Sequence, residues 1–165
     1  MKSIRIVIVA ACLFAASFIS NAQNYDWALG VRGGGNSSGV SLKYVWSDWY
    51  ALELGYDFVY PVDALDMRYG NQFSVINIWN RPIINFDFIF FYGVGMHGGR
   101  YLIKKEGEEQ KSRFGAGLDW VAGLEYKIPI APVAISLEYR PFFNLFPVKP
   151  RFYLANLGLG LKLVF

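Results

Sequence analysis

The chain has 165 residues and a net charge of +3; it is 54% hydrophobic and 18% aromatic, with only 18% charged residues. That is the length of one domain, and it is too apolar and aromatic for a disordered chain. The one long apolar run, Ile6–Ile19, is shorter than the roughly 20 residues of a spanning helix, so the apolar surface is either buried in sheet or turned to lipid by a closed barrel.

The chain opens with the pattern of a secretory signal peptide. Lys2 and Arg5 form a positive start, Ile6–Ile19 the apolar core, and Ser20-Asn21-Ala22 a small-residue cleavage site, so residues 1–22 read as leader and 23–165 as one barrel domain. Val9-Ala10-Ala11-Cys12 loosely matches a lipoprotein site. The apolar run continues through Leu13-Phe14-Ala15-Ala16, where a lipidated chain turns polar, and Cys12 reads as an ordinary leader residue. Cys12 is the sole cysteine, so residues 23–165 have neither a disulfide nor a Cys-based metal site. Without Lys2 and Arg5, 14 Lys+Arg face 13 Asp+Glu, a balance that gives no reason to expect nucleic acid as a partner.

From residue 27 onward the pattern has period two, one apolar face against one small or polar face, which is the signature of strands. Trp27, Leu29 and Val31 alternate with Ala28, Gly30 and Arg32. Val40, Leu42, Tyr44 and Trp46 alternate with Ser41 and Lys43. Tyr50, Leu52, Leu54, Tyr56, Phe58 and Tyr60 alternate with Glu53, Gly55 and Asp57. Near Phe73–Asn80 the alternation blurs: Phe73, Val75 and Trp79 hold one phase, Ile76 and Ile78 the other, with Asn77 between, and a bulge that switches phase is expected there. Phe88, Phe90, Tyr92, Val94 and Met96 alternate with Gly93, Gly95 and His97. Leu118, Trp120, Ala122, Leu124 and Tyr126 alternate with Asp119, Gly123, Glu125 and Lys127. Val133, Ile135, Leu137 and Tyr139 alternate with Ser136, Glu138 and Arg140. Tyr153, Ala155, Leu157, Leu159, Leu161, Leu163 and Phe165 alternate with Asn156, Gly158, Gly160 and Lys162.

These segments predict an all-β protein, an eight-stranded antiparallel up-and-down transmembrane barrel. Eight strands of about ten residues use roughly 80 of the 143 residues after the leader and leave about 60 for connections. Connections at residues 47–49, 80–85 and 129–132 are short. Those at 61–72, 100–113 and 144–151 are longer, with 33–38 a short exception. Short turns at one end and longer loops at the other is the outer-membrane layout, with both termini periplasmic.

The charges set which face points in. Arg32, Lys43, Lys127, Arg140 and Lys162 share the small/polar face with Glu53, Asp57, Asp119, Glu125 and Glu138. Turned to lipid, each Arg or Lys would cost ~2–4 kcal/mol at midplane, and five would cost roughly 10–20, comparable with a domain's whole stability. Turned inward, the ten can pair in a lumen just wide enough for side chains. Trp27, Trp46, Trp49, Trp79, Tyr126 and Phe165 fall at the short-turn ends, and Tyr60, Phe73, Tyr101, Phe143 and Tyr153 near the long-loop ends, as two interfacial girdles.

Three stretches carry a resemblance. Gly117-Leu118-Asp119-Trp120-Val121-Ala122-Gly123-Leu124-Glu125-Tyr126-Lys127, the following Ile135-Ser136-Leu137-Glu138-Tyr139-Arg140-Pro141-Phe142-Phe143-Asn144-Leu145, and Tyr92-Gly93-Val94-Gly95-Met96-His97 resemble strands of small outer-membrane β-barrel proteins of Bacteroidetes-type bacteria, with eight-stranded OmpA/OmpX-like architecture. The terminal alternation ending in Phe165 resembles the signal read by the barrel-assembly machinery. The resemblance implies an outer-membrane location and no common reaction.

Catalysis has one candidate constellation. His97 is the single histidine; Asp119 and Ser74 face inward on adjacent strands, and Ser, His and Asp together can form an acyl-transfer triad of a lipid-modifying enzyme. The balanced inward charges favour a plug over a selective pore, which carries an excess of one sign. The expectation is a non-enzymatic envelope barrel of structural or interaction role, without cofactor or metal. A narrow pore for small solutes and a His97 enzyme are the alternatives. Expected partners are outer-membrane lipid and lipopolysaccharide, the assembly machinery, and an envelope protein meeting loops 61–72 and 100–113, the latter with the charged run Lys104–Arg113.

Overall fold

The computed structural model describes residues 25–60, 67–83, 88–103, 111–146 and 152–165. The expected leader, Cys12 and the tips of the longer connections lie outside the described residues.

Ten strand segments follow one another: β1 (Trp27–Gly34), β2 (Ser37–Ser47), β3 (Tyr50–Val59), β4 (Met67–Pro82), β5 (Phe88–Ile103), β6 (Lys111–Ile128), β7 (Val133–Tyr139), β8 (Phe142–Phe146), β9 (Phe152–Tyr153) and β10 (Leu157–Val164). They make eight staves. β7 and β8 both pair with β6 in one continuous register, joined through Trp120 N–H donating to the Pro141 carbonyl. β9 pairs with β8 and β10 with β7, forming the eighth stave. Each stave runs antiparallel to its neighbour, and β1 pairs with β10, which closes the sheet into a barrel. Trp27 and Phe165 exchange backbone hydrogen bonds, so the described ends of the chain meet at the short-turn end. Closure leaves no sheet edge to protect.

Burial follows the period of two. In β10 the leucines at 157, 159, 161 and 163 are exposed while Gly158, Gly160 and Lys162 face in. Across the barrel the same inversion holds: exposed side chains are large and apolar, and buried ones include Arg32, Lys43, Glu53, Glu125 and Glu138. Glycine is required where inward side chains crowd. A Cβ on Gly117 would lie 1.9 Å from the Phe143 carbonyl oxygen and 2.6 Å from the His97 ring.

The structure corrects four expectations. No phase switch occurs near residues 73–80: β4 pairs with both β3 and β5 in unbroken register from Gly70 to Trp79, and its one irregularity lies between Met67 and Tyr69. Ile76 and Ile78 point inward into an apolar cluster with Ala51, Phe91 and Val121, and Asn77 points out. The blur reflects a local inversion of polarity, not of geometry. Second, the staves outrun their ten-residue cores. Residues 67–72, 100–103 and 111–113, expected in connections, are strand, because the β4–β5–β6 ladder continues to the Met67–Ile103 and Ile103–Lys111 pairs. Third, the connection expected at 33–38 is reduced to residues 35 and 36. Fourth, Tyr101 and Tyr153 are not girdle residues. Both are buried and pack inside with Val59 and Phe142. Tyr153 leaves the outward phase because β8–β9 and β10–β7 differ by one residue in register, which puts Leu154 and Ala155 both outside before Asn156 turns in.

A candidate functional site in the barrel interior

The inward side chains stack in layers along the barrel. At the short-turn end, Tyr25 folds in ahead of β1. Its hydroxyl donates to Glu125 on β6. Lys43 on β2 reaches the Tyr25 oxygen at 3.2 Å and Glu125 Oε1 at 3.5 Å. Lys162 on β10 bridges two carboxylates, Glu125 Oε2 at 2.8 Å and Glu138 Oε1 at 2.9 Å. Above it, Arg140 closes on Glu138 Oε2 at 2.7 Å through Nε and also binds Glu53. Glu138 accepts a third partner, the Ser136 hydroxyl, at 2.6 Å. This connected array spans the lumen from β3 to β7 and β10. Densely paired networks of this kind hold their members in place, because an unpaired charge in such a site is costly.

The next layer is held by Arg32 on β1. It donates to Ser37 Oγ at 2.7 Å and Asn156 Oδ1 at 2.9 Å and lies 3.6 Å from Asp57. Asn156 in turn donates to the Arg140 carbonyl at 2.9 Å, which ties this layer to the one below. The sequence places Ser37 in a connection and gives Asn156 no partner. Only the closed register brings their strands side by side.

Lys127, counted among the inward charges from its phase, is half-buried at the short-turn rim. Its ammonium lies 6.0 Å from the Tyr25 ring centroid, and it joins none of the ion pairs found among the described residues. It differs from Lys43 because β6 leaves the lumen two residues beyond Glu125.

His97, Asp119 and Ser74 do meet on adjacent staves, since Ser74 is the register partner of His97. Their hydrogen bonds do not make a triad. His97 Nδ1 lies 3.0 Å from Asp119 Oδ1, and Nε2 lies 2.9 Å from Asn144 Oδ1. A general base for a serine needs Nε2 on the hydroxyl; here Asn144 holds that nitrogen. Asn144 stands where the strand-like stretch ending at Leu145 overlaps the expected connection 144–151, so its direction is not legible in the sequence; β8 carries it inward. Among the described residues, Ser74 Oγ, Asp119 Oδ2 and Glu53 Oε2 have no hydrogen-bond partner.

Between the Arg140 layer and His97 lies a small polar void of about 10 Å³, room for about one water molecule, lined among others by Arg32, Asp57, Gln72, Ser74, Asp119 and Asn156. The apolar group of Val59, Tyr101, Phe142 and Tyr153 covers its long-loop side, with Phe142 and Tyr153 stacked 4.2 Å apart and the Tyr101 hydroxyl donating to Gln72 at 2.8 Å. The interior therefore runs from an ion-paired floor to an aromatic roof with only this small void between them. Among the described residues no group of three or more His, Cys, Asp or Glu side chains could hold a metal ion.

No protein-family model matches the sequence, and no curated protein is similar to it in sequence. Solved structures are similar in fold. The N-terminal β-barrel domain of Pseudomonas aeruginosa OprF superposes with a TM-score of 0.68 at 16% identity, over 84% of this chain and 96% of that one. Neisserial surface protein A (NspA) superposes with a TM-score of 0.63 at 14% identity, over 84% of this chain and 94% of that one. At such identities the likeness speaks for fold alone, and that fold is the closed eight-stranded antiparallel barrel of small outer-membrane proteins.

Proposed function

We propose that this chain is an integral outer-membrane β-barrel whose lumen is closed by its own side chains and whose role in the cell envelope is structural or interactive rather than catalytic. The observation that carries this reading is the inversion of burial. Leu159, Leu161, Phe73, Met96 and Trp120 are exposed on the outer wall, while Lys43, Glu53, Glu125 and Glu138 are at most 1% exposed inside. An apolar wall of this extent is untenable in water and natural in lipid. On this reading residues 1–22 direct export, the termini lie on the periplasmic side, Phe165 is read by the barrel-assembly machinery, and the long-loop end, with loops 61–72 and 100–113, faces lipopolysaccharide and an envelope partner. The Bacteroidetes-type kinship belongs to the same proposal and rests on residues 88–165.

Against the pore alternative stand the ion pairs and the aromatic cluster that cross the lumen, with only a one-water void between them. The enzyme alternative lacks a serine on His97. The membrane reading is tested by refolding into phosphatidylcholine bilayers. A band that migrates differently before and after boiling, protected from protease, is the expected result. A soluble species with a single mobility overturns it.

A further inference from the structure

The outer wall carries almost no charge. Among the strand residues whose side chains are described, Arg81 on β4 and Arg100 on β5 carry charge on the outward phase, at opposite rims, and Lys111 and Arg113 at the tip of β6 are exposed as well. Arg81 is the register partner of Phe90, ten residues before Arg100 on β5. At ~3.3 Å per residue and a tilt of about 40°, that separation is roughly 25 Å along the barrel axis. This equals the height of the apolar band of an outer-membrane barrel, so the two arginines mark the two headgroup levels.

The two rims use their arginine differently. Arg81 is occupied by the protein: it donates to the Asn80 carbonyl at 2.9 Å and the Tyr92 hydroxyl at 3.3 Å, and lies 5.1 Å from the Trp49 ring. Arg100 is exposed and has no such partner among the described residues. Its register neighbours are Asn71 on β4 and Phe114 on β6. Phe114 is 66% exposed and leans across Gly98, where an added Cβ would meet its ring at 3.2 Å. From the level of Arg100, the apolar ring therefore leans toward the band. Arg113 and Lys111, both exposed, stand on the same hairpin, and the described strands present no outward carboxylate there. Acyl chain below and anion above is the polarity of an anionic lipid, and a planar guanidinium binds phosphate through paired N–H donors.

We propose that the long-loop end of the β5–β6 hairpin seats a phosphate of an outer-leaflet lipid A headgroup, with Arg100 as the phosphate contact and Phe114 as the apolar flank. This rests on the membrane reading above. The test is native mass spectrometry of protein extracted from phosphatidylcholine bilayers doped with lipid A. Wild type is expected to retain lipid A. Arg100→Gln is expected to retain about tenfold less, the loss of one charge-assisted contact, with Arg100→Lys intermediate and Arg81→Gln unchanged. Equal retention by Arg100→Gln and wild type overturns the proposal. So does equal retention of dephosphorylated lipid A, which would make acyl packing the contact. Failure of wild type to enter phosphatidylcholine alone instead overturns the membrane reading and this proposal with it.

Discussion

The two sides of the barrel interior differ in kind. The wall made by β1, β2, β3, β7 and β10 supplies Arg32, Lys43, Glu53, Asp57, Glu138, Arg140 and Lys162. Over the short-turn half, where that wall carries Lys43, Glu53 and Lys162, the wall made by β4, β5 and the middle of β6 supplies Ile76, Ile78, Phe91 and Val121. The charged wall leans on the apolar one: Lys43 and Lys162 lie 5.4 and 5.1 Å from the Phe91 ring centroid. A wall that offers few hydrogen bonds drives the charges opposite to satisfy one another, and the dense pairing around Glu125 and Glu138 follows. The plug is thus half salt bridge and half hydrocarbon.

Removing the hub of the charged wall is the strongest way to break this arrangement. Arg140→Ala strands Glu53, takes one partner from Glu138 and is expected to cost ~3–5 kcal/mol, read by urea unfolding of the refolded protein. An unchanged midpoint would mean that the pairing is incidental. Next, Phe91→Ala empties the apolar wall and removes the ring under both lysines, with an expected loss of ~3 kcal/mol. A loss below about 1 kcal/mol would show that the charged wall stands without its counterpart. Asn77→Leu sharpens the comparison from outside. Asn77 faces outward between two inward isoleucines, so in bilayers the change is expected to stabilise by roughly 1 kcal/mol, whereas destabilisation would place Asn77 inside. Lys127→Ala, at the rim and outside the ion pairs, is expected to change stability by less than about 0.5 kcal/mol.

The same contrast explains what the sequence reveals. On the charged wall polarity and direction coincide, so Lys43, Glu53, Glu138 and Lys162 can be placed inward from period two alone. On the apolar wall they separate. Ile76 and Ile78 look like outward residues and Asn77 like an inward one, and only register against β3 and β5 shows the reverse. Aromatics mislead in the same way near the long-loop end, where Tyr101 and Tyr153 roof the lumen instead of joining a girdle. Ser–His–Asp proximity is legible, since adjacent inward positions must meet. The resemblance carries the stave past Pro141 to Leu145, but which way Asn144 points, and so its contact with His97 Nε2, is fixed only by the pairing of β8 with β6. Tyr25 precedes the first strand, and nothing in its neighbourhood signals that it reaches Glu125 across the lumen.

Planar-bilayer conductance of the refolded, heat-modifiable protein tests the closed interior most directly. The ion-paired floor and the Tyr101–Phe142–Tyr153 roof predict a silent bilayer under voltage, with insertion confirmed by protease protection. Steady unitary conductance steps from the same preparation would contradict the plug and make the barrel a pore.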